Sequence, residues 1–125
     1  MDKQWITGEK PINNETIEWS STLGKNLSDN SVKTNPPMTT SQIRKFFGEV
    51  KRIQASFKDY KEDVPLLEAK LAYAVGRKPT EKMKLFYKEF SPAIKAIDGK
   101  KENYDRFVKL LESTVAFHKY HGGKD

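Results

Sequence analysis

Between residues 43 and 60, large apolar side chains recur at spacings of three and four, and this repeat constrains the fold more than any other feature of the sequence. The repeat consists of Ile43, Phe46, Phe47, Val50, Ile53, Phe57 and Tyr60. In a helix of 3.6 residues per turn these side chains project from one stripe, which has to be buried. The pattern therefore predicts a helix that begins after Met38, where Thr39, Thr40 or Ser41 can cap the first amides.

The remainder of the chain predicts three more helices with apolar stripes of the same kind. The second covers residues 63–76 and ends at a glycine, and the third covers residues 79–98, with Pro92 inside its stripe, where we expect a kink or a break. The fourth covers residues 102–121. Because no segment alternates with period two, the predicted fold class is all-α, a compact bundle of four to five helices formed by residues 39–125.

Residues 1–38 show no sustained apolar period. They are rich in Asn, Ser, Thr, Lys, Glu and Pro, and the pair Pro36-Pro37 resists helix formation. We interpret this stretch as a flexible N-terminal arm beside the bundle. Its apolar residues, among them Trp5 and Trp19, exceed what a linker needs, so we expect it to dock, either on a partner or through a short helix near residues 15–23 on the bundle itself.

The net positive charge of the chain comes entirely from the residues after that arm. Residues 1–38 hold four Lys against five acidic residues, a net charge of −1, whereas residues 39–125 hold 19 basic and 12 acidic residues, a net charge of +7. A basic surface attracts polyanions over long distances. Nucleic acid is therefore the first partner class to consider, ahead of anionic lipid and acidic protein.

Several classes of protein are excluded or disfavoured by composition. The chain has no cysteine, so it has no disulfide, no thiolate nucleophile and no cysteine zinc site. Its first ten residues lack the pattern of a signal peptide, and no run approaches the roughly 20 apolar residues that span a bilayer. We expect a cytoplasmic protein without a membrane partner.

Cations of the first predicted helix form the first candidate site for phosphate binding. Arg44, Lys51 and Lys58 repeat every seven residues and so lie on one line of the helix, with Lys45 and Arg52 further round on its open face. Two turns advance about 10.5 Å, so a phosphate backbone could follow this line. The alternative interpretation is a solvated flank whose long side chains cover the edge of the core.

The turn between the second and third predicted helices is the second candidate. It reads Arg77-Lys78-Pro79 and brings two cations next to the amino terminus of a helix, which itself attracts anions. Most aromatic residues of the chain occupy predicted core positions, so we expect no exposed aromatic row. Binding should then involve the nucleic-acid backbone and be insensitive to base sequence.

No catalytic or cofactor site is predicted. His118 and His121 are three residues apart, but no third metal ligand accompanies them, and the acidic residues are scattered among Lys and Arg. Glu112 lies near the apolar arc of the last predicted helix, where we expect it to pair with a cation such as Arg44 or Lys119. The sequence therefore predicts a protein that is not an enzyme and takes no cofactor, metal or small-molecule substrate.

Three segments in this order resemble one known family: residues 39–45 (TTSQIRK), residues 71–77 (LAYAVGR) and residues 107–124 (FVKLLESTVAFHKYHGGK). Together they are similar to the small subunit of the type III-A CRISPR-Cas effector, the Csm complex. The resemblance covers residues 39–124 and leaves residues 1–38 outside it.

The resemblance implies a non-catalytic helical bundle present in several copies, which stack as a minor filament beside the guide-bearing subunits. Its expected partners are the backbone of single-stranded target RNA and of the guide-target duplex, other effector subunits and copies of itself. The positions that match the family's basic residues are Arg44, Lys45, Arg77 and Lys119. The spacing of cations on the first predicted helix adds Lys51 and Arg52 to this set of candidate RNA-binding residues, and the turn before the third helix adds Lys78. The alternative function is a protein-protein assembly adaptor that makes no important RNA contact.

Overall fold

The computed structural model describes residues 1–124, and all regular secondary structure in that range is helical. The helices are α1 (Gln4–Thr7), α2 (Asn14–Ser28), α3 (Thr40–Ala55), α4 (Phe57–Tyr60), α5 (Leu66–Arg77), α6 (Glu81–Ala96) and α7 (Lys101–Tyr120), with one 3₁₀ turn at Lys61–Asp63. The predicted all-α fold class is confirmed. The predicted count of four to five helices is too low, because two helices lie in the first 38 residues and the first predicted helix is divided.

That division occurs at Ser56. Helix α3 begins as predicted, with Thr39 accepting a hydrogen bond from the Gln42 amide in a capping box, but Ser56 leaves the helical conformation with φ −144° and ψ 57°. After this break, Phe57 is buried and packs on Tyr104 with a ring-centroid distance of 5.3 Å. The change of direction therefore lets Phe57 reach α7.

Pro92 does not divide α6. The helix continues from Glu81 to Ala96 because Phe90, Ala93 and Ile94 are buried on both sides of the proline, and their packing offsets the one backbone hydrogen bond that proline cannot donate. Of the kink or break predicted at this residue, the break is therefore absent.

The first 38 residues belong to the bundle rather than to a separate arm. Helix α2 starts with a capping box at Asn13 and Thr16, and Leu23 and Leu27 are buried in the common core. Trp5 of α1 is also buried, with its ring 5.8 Å from that of Trp19. The short helix considered for residues 15–23 is thus real, longer than expected, and packed on the bundle.

Small residues hold α2 against α7. Ser20 Oγ lies 2.6 Å from Ser113 Oγ, and the Ser28 hydroxyl donates to the His121 carbonyl at 3.5 Å. Because both contacts advance in the same direction along the two helices, α2 and α7 are parallel. Between them, Gly24 brings the backbones together: a β-carbon at this position would lie 2.6 Å from the backbone nitrogen of His118.

Helix α3 runs antiparallel to α7. The Tyr104 hydroxyl donates to the Val50 carbonyl at 2.7 Å near one end of the pair, and the Thr40 amide donates to the Lys124 carbonyl at 3.0 Å near the other. Burial raises the pKa of the Tyr104 phenol well above its usual range. The phenol therefore remains a neutral donor that fixes the register of the two helices.

Candidate nucleic-acid interface

Three helix ends meet at one end of the bundle. The Met38 amide, just before α3, donates to the Leu27 carbonyl in the last turn of α2 at 2.8 Å. The carbonyl of Met38 accepts a hydrogen bond of 2.6 Å from His118 Nε2 in the last turn of α7. The carboxyl ends of α2 and α7 are thereby joined to the amino end of α3.

The loop between α5 and α6 lies at the same end. Asp63 contacts Arg52 near the carboxyl end of α3 at 3.0 Å, and seven residues later Lys70 contacts Glu49 at 2.6 Å. The Ser91 hydroxyl near the end of α6 donates to Glu68 near the start of α5 at 2.9 Å, so the two helices are antiparallel and the last turn of α5 lies beside the first turn of α6. Phe86 of α6 packs on Phe46 in the amino-terminal half of α3, with a ring-centroid distance of 5.7 Å.

The electrostatic environment of Asp29 also puts the first turn of α6 at this end of the bundle. The pKa of Asp29, just after α2, is lowered first by hydrogen bonds from Ser31 and then by the charges of Lys82 and Lys25. Since Lys82 belongs to the first turn of α6, that turn lies near the carboxyl end of α2. Five helix ends therefore share one end of the molecule.

This gathering of helix ends concentrates the charge. The residues at this end, which we call the basic end, are 25–48, 72–88 and 112–124, and they hold eleven Lys and Arg against three Asp and Glu. The other described residues hold twelve basic and thirteen acidic side chains. In the sequence, the excess of positive charge is spread over the residues after residue 38. In the folded chain it is concentrated at one end, because the topology brings these helix ends together.

The surface along which α3 borders α7, which we call the groove, starts at the basic end. Arg44, Phe47, Lys51 and Gln54 follow one another at spacings of three and four and so form one stripe of α3. The side-chain amide of Gln54 donates to Asp105 Oδ1 at 3.2 Å, so this stripe borders α7. Arg44 and Lys51 are exposed and form no hydrogen bond or ion pair with any described residue.

On α7, Asp105, Glu112 and Lys119 are each seven residues apart and share the side that faces this groove. Since the two helices are antiparallel, Lys119 stands level with Arg44 at the basic end. Lys119 is exposed, and its Nζ reaches the Gly123 carbonyl at 3.3 Å. Glu112 does not form the ion pair with Arg44 or Lys119 that the sequence suggested.

Arg52 and Lys45 lie on the opposite flank of α3, toward α5. Arg52 is held by Glu49 at 2.8 Å and by Asp63 at 3.0 Å, and its guanidinium lies 4.6 Å from the centre of the Tyr60 ring. Hydrogen bonds from Arg52 and Lys70 lower the pKa of Glu49 to about 2. Arg52 is therefore occupied within the fold, whereas Lys45 is exposed and forms no ion pair with a described residue.

Arg77 and Lys78 occupy the end of α5 and the loop after it. Both side chains are exposed and have no hydrogen-bond or ion-pair partner among the described residues. Thr80 caps α6 by accepting from the Met83 amide, so the amino end of α6 opens directly after these cations, as the sequence predicted. Arg77 and Lys78 therefore belong to the basic end together with Lys45.

An exposed aromatic cluster at the end of α7 departs from the sequence expectation. Tyr120 is 79% exposed, and its ring lies 5.0 Å from that of His121 and 6.4 Å from that of Phe117. Because Tyr120 and His121 follow Phe117 by three and four residues, the helix makes the three side chains neighbours. Which of the three side chains is exposed depends on where α2 packs. We expected no exposed aromatic row from the sequence; this cluster presents one largely exposed ring, Tyr120, beside the half-buried Phe117 and His121.

The histidines each have a role in the fold. His118 is fully buried against Met38, and His121 Nε2 lies 3.3 Å from Ser21 Oγ. Within residues 1–124, no three His, Asp or Glu side chains are grouped closely enough to hold a metal ion. No helix in that range is both long and apolar enough to cross a bilayer.

Comparison with known proteins identifies relatives. A family model described as Csm2 Type III-A matches residues 11–124. The protein described as "CRISPR system Cms protein Csm2" of Streptococcus thermophilus is 32% identical over 104 residues, which cover 79% of this chain and 85% of the relative. No solved structure matches. The family match starts at residue 11, so it includes most of the segment that the sequence resemblance had left out.

Proposed function

The chain belongs to the Csm2 family, the small subunits of type III-A CRISPR effector complexes, and we propose that it binds the RNA backbone through the basic end and the groove between α3 and α7. The observation that carries this proposal is the charge of the basic end, eleven cations against three acidic residues. Arg44, Arg77 and Lys78 at this end, and Lys51 in the groove, are exposed and have no carboxylate partner within residues 1–124. Lys45 and Lys119 complete the proposed contact set. Arg52 is left out because Glu49 and Asp63 already hold it.

The proposed mechanism is electrostatic. Lys and Arg side chains neutralise phosphates and release condensed counterions, which gives affinity without reading the bases. Sequence recognition is left to pairing between guide and target, as in other guided complexes. The chain itself has no part in RNA cleavage, and its place of action is the cytoplasm.

Assembly strengthens this weak binding. A few phosphate contacts have to offset the entropy of docking, so one isolated copy binds weakly. Several copies that stack as a filament beside the guide-bearing subunits bind one strand or one guide-target duplex by avidity. The partners of the chain in this role are other effector subunits, copies of itself and the RNA.

The proposal predicts a change in salt dependence. The double variant Arg44→Ala, Lys51→Ala should reduce the magnitude of the slope of log affinity against log salt by roughly 0.7 for each phosphate contact removed on single-stranded RNA. Fluorescence anisotropy with labelled single-stranded RNA and with duplex, at several salt concentrations, measures this slope.

The matched control is Lys3→Ala, Lys100→Ala, which removes the same charge from exposed positions outside the basic end. This control should leave the slope close to that of the unmodified protein. If both double variants change the slope equally, net charge rather than the proposed surface determines binding. An unchanged slope in Arg44→Ala, Lys51→Ala would contradict the proposal.

One observation favours the alternative function of an assembly adaptor. Leu66 and Tyr73 are two turns apart on α5 and are 53% and 69% exposed, which leaves an apolar strip available to a neighbouring protein. Trp5, which the sequence offered as a residue that could dock on a partner, is buried in the core. An adaptor alone would show no salt-dependent affinity for RNA, so the same titration separates the two functions.

A further inference from the structure

The aromatic cluster at the end of α7 consists of Phe117, Tyr120 and His121. The rings of Phe117 and His121 are nearly parallel, 29° apart, whereas Tyr120 meets Phe117 at 89° and His121 at 76°. Phe117 and His121 are half-buried, while Tyr120 is 79% exposed. A large part of the Tyr120 ring is therefore open to solvent.

The two inner rings are fixed by α2. The Phe117 backbone and β-carbon lie beside Gly24, at the closest approach of α2 and α7. The His121 ring contacts the Ser21 hydroxyl through Nε2 at 3.3 Å. Tyr120 therefore stands beside two rings whose residues contact α2.

Four exposed cations belong to the segments next to this cluster. Lys119 precedes Tyr120, Lys124 follows the end of the helix, and Lys25 comes directly after Gly24; all three are exposed. Arg44 stands level with Lys119 across the groove. An exposed apolar ring that served a protein partner would be expected among other apolar groups, whereas an open aromatic face among cations matches the chemistry of a nucleotide, a flat base joined to anionic phosphates.

We propose that Tyr120 is a stacking site for an unpaired base of the RNA strand whose phosphates occupy the basic end. This inference rests on the proposed RNA binding and adds to it a contact that duplex RNA cannot make along its length, because paired bases are covered by their neighbours. The site therefore gives the protein a preference for single-stranded or locally unpaired RNA, independent of base identity because every base has a π face.

The test uses Tyr120→Ala, with Tyr120→Phe as the matched control that keeps the ring. Two labelled RNAs of equal length are titrated by fluorescence anisotropy into the full chain: a single-stranded oligouridine and an abasic strand with the same phosphates. Tyr120→Ala should weaken binding of oligouridine about tenfold and leave binding of the abasic strand unchanged. Tyr120→Phe should bind both strands as the unmodified protein does.

The salt dependence distinguishes this proposal from the proposed function. Tyr120→Ala removes no phosphate contact, so its slope of log affinity against log salt should equal that of the unmodified protein. If the unmodified protein binds both strands equally, or if Tyr120→Ala binds oligouridine normally, the stacking site is overturned while salt-dependent RNA binding stands. If neither strand binds with a salt-dependent affinity, the proposed function fails, and the stacking site fails with it. Loss of self-association in Tyr120→Ala with RNA binding intact would assign the ring to a protein contact instead.

Discussion

Replacing Gly24 by alanine is expected to lower the free energy of unfolding by about 2–3 kcal/mol. The added β-carbon would lie 2.6 Å from the His118 nitrogen and 2.8 Å from the Phe117 carbonyl carbon, and both are backbone atoms that cannot move aside alone. The helices α2 and α7 must then separate, which loosens the packing around Ser20 and Ser28. Urea denaturation followed by circular dichroism measures the effect.

Gly48→Ala is the matched control for this prediction. Gly48 lies in the middle of α3, and a β-carbon there would meet no atom within 4 Å. Because alanine is the better helix former, this variant should be more stable than the unmodified protein by about 0.5–1 kcal/mol. If Gly24→Ala were also neutral or stabilising, the close approach of α2 and α7 would not be a feature of the protein in solution.

The free energy of unfolding is expected to fall as the pH is lowered from 7.5 to 5, and His118 is the main cause. A carbonyl only accepts hydrogen bonds, so His118 Nε2 carries the proton that it donates to Met38, and its buried Nδ1 has no partner in the part of the chain that the structure describes. Burial lowers the pKa of His118 below its usual value of 6.5, although the hydrogen bond to Met38 opposes the shift. The unfolded chain therefore takes up the proton first.

The sign of the effect follows from linkage between protonation and folding. The contribution of His118 to stability is complete above the unfolded pKa of about 6.5 and is lost as the pH falls from there toward the lower pKa of the folded state. Its slope can reach about 1.4 kcal/mol per pH unit. Chemical denaturation at a series of pH values measures it.

His118→Gln is the control for the pH prediction, because it keeps an amide donor near Met38 but does not titrate. Its stability should vary less between pH 5 and 7 than that of the unmodified protein. Parallel curves for the two proteins would show that a group other than His118 determines the pH dependence.

Helix periodicity predicted the helices that bury large side chains. Helices α5, α6 and α7 lie where the spacing of large apolar residues put them, with ends within a few residues. Helix α3 begins as predicted but ends at Ala55, and the last two residues of its apolar repeat lie in α4. Helix α2 lacked that signal because it packs through Ser20, Gly24 and Ser28, whose spacing of four lets backbones approach but resembles a polar loop in composition. The boundary expected at residue 38 was wrong for this reason.

The positions of the candidate residues on the helices were predicted in part. The spacing of seven between Arg44 and Lys51 correctly put both on one side of a helix, and that side borders α7. Arg52 was grouped with them, although Glu49 stands three residues before it, a spacing that signals an ion pair. The basic end could not be predicted, because it depends on which helix ends meet in space. Tyr120 was missed because its exposure depends on the position of α2.

The unequal distribution of charge makes the molecule an electric dipole. A polyanion exerts a torque on such a molecule before contact, so the chain approaches with its positive pole foremost, and fewer encounters are lost to wrong orientations. Two copies brought together at their positive poles repel each other unless an anionic strand runs between them. In the proposed stack of copies, the negative charge of the RNA strand would offset this repulsion. Removal of the RNA should therefore separate the copies.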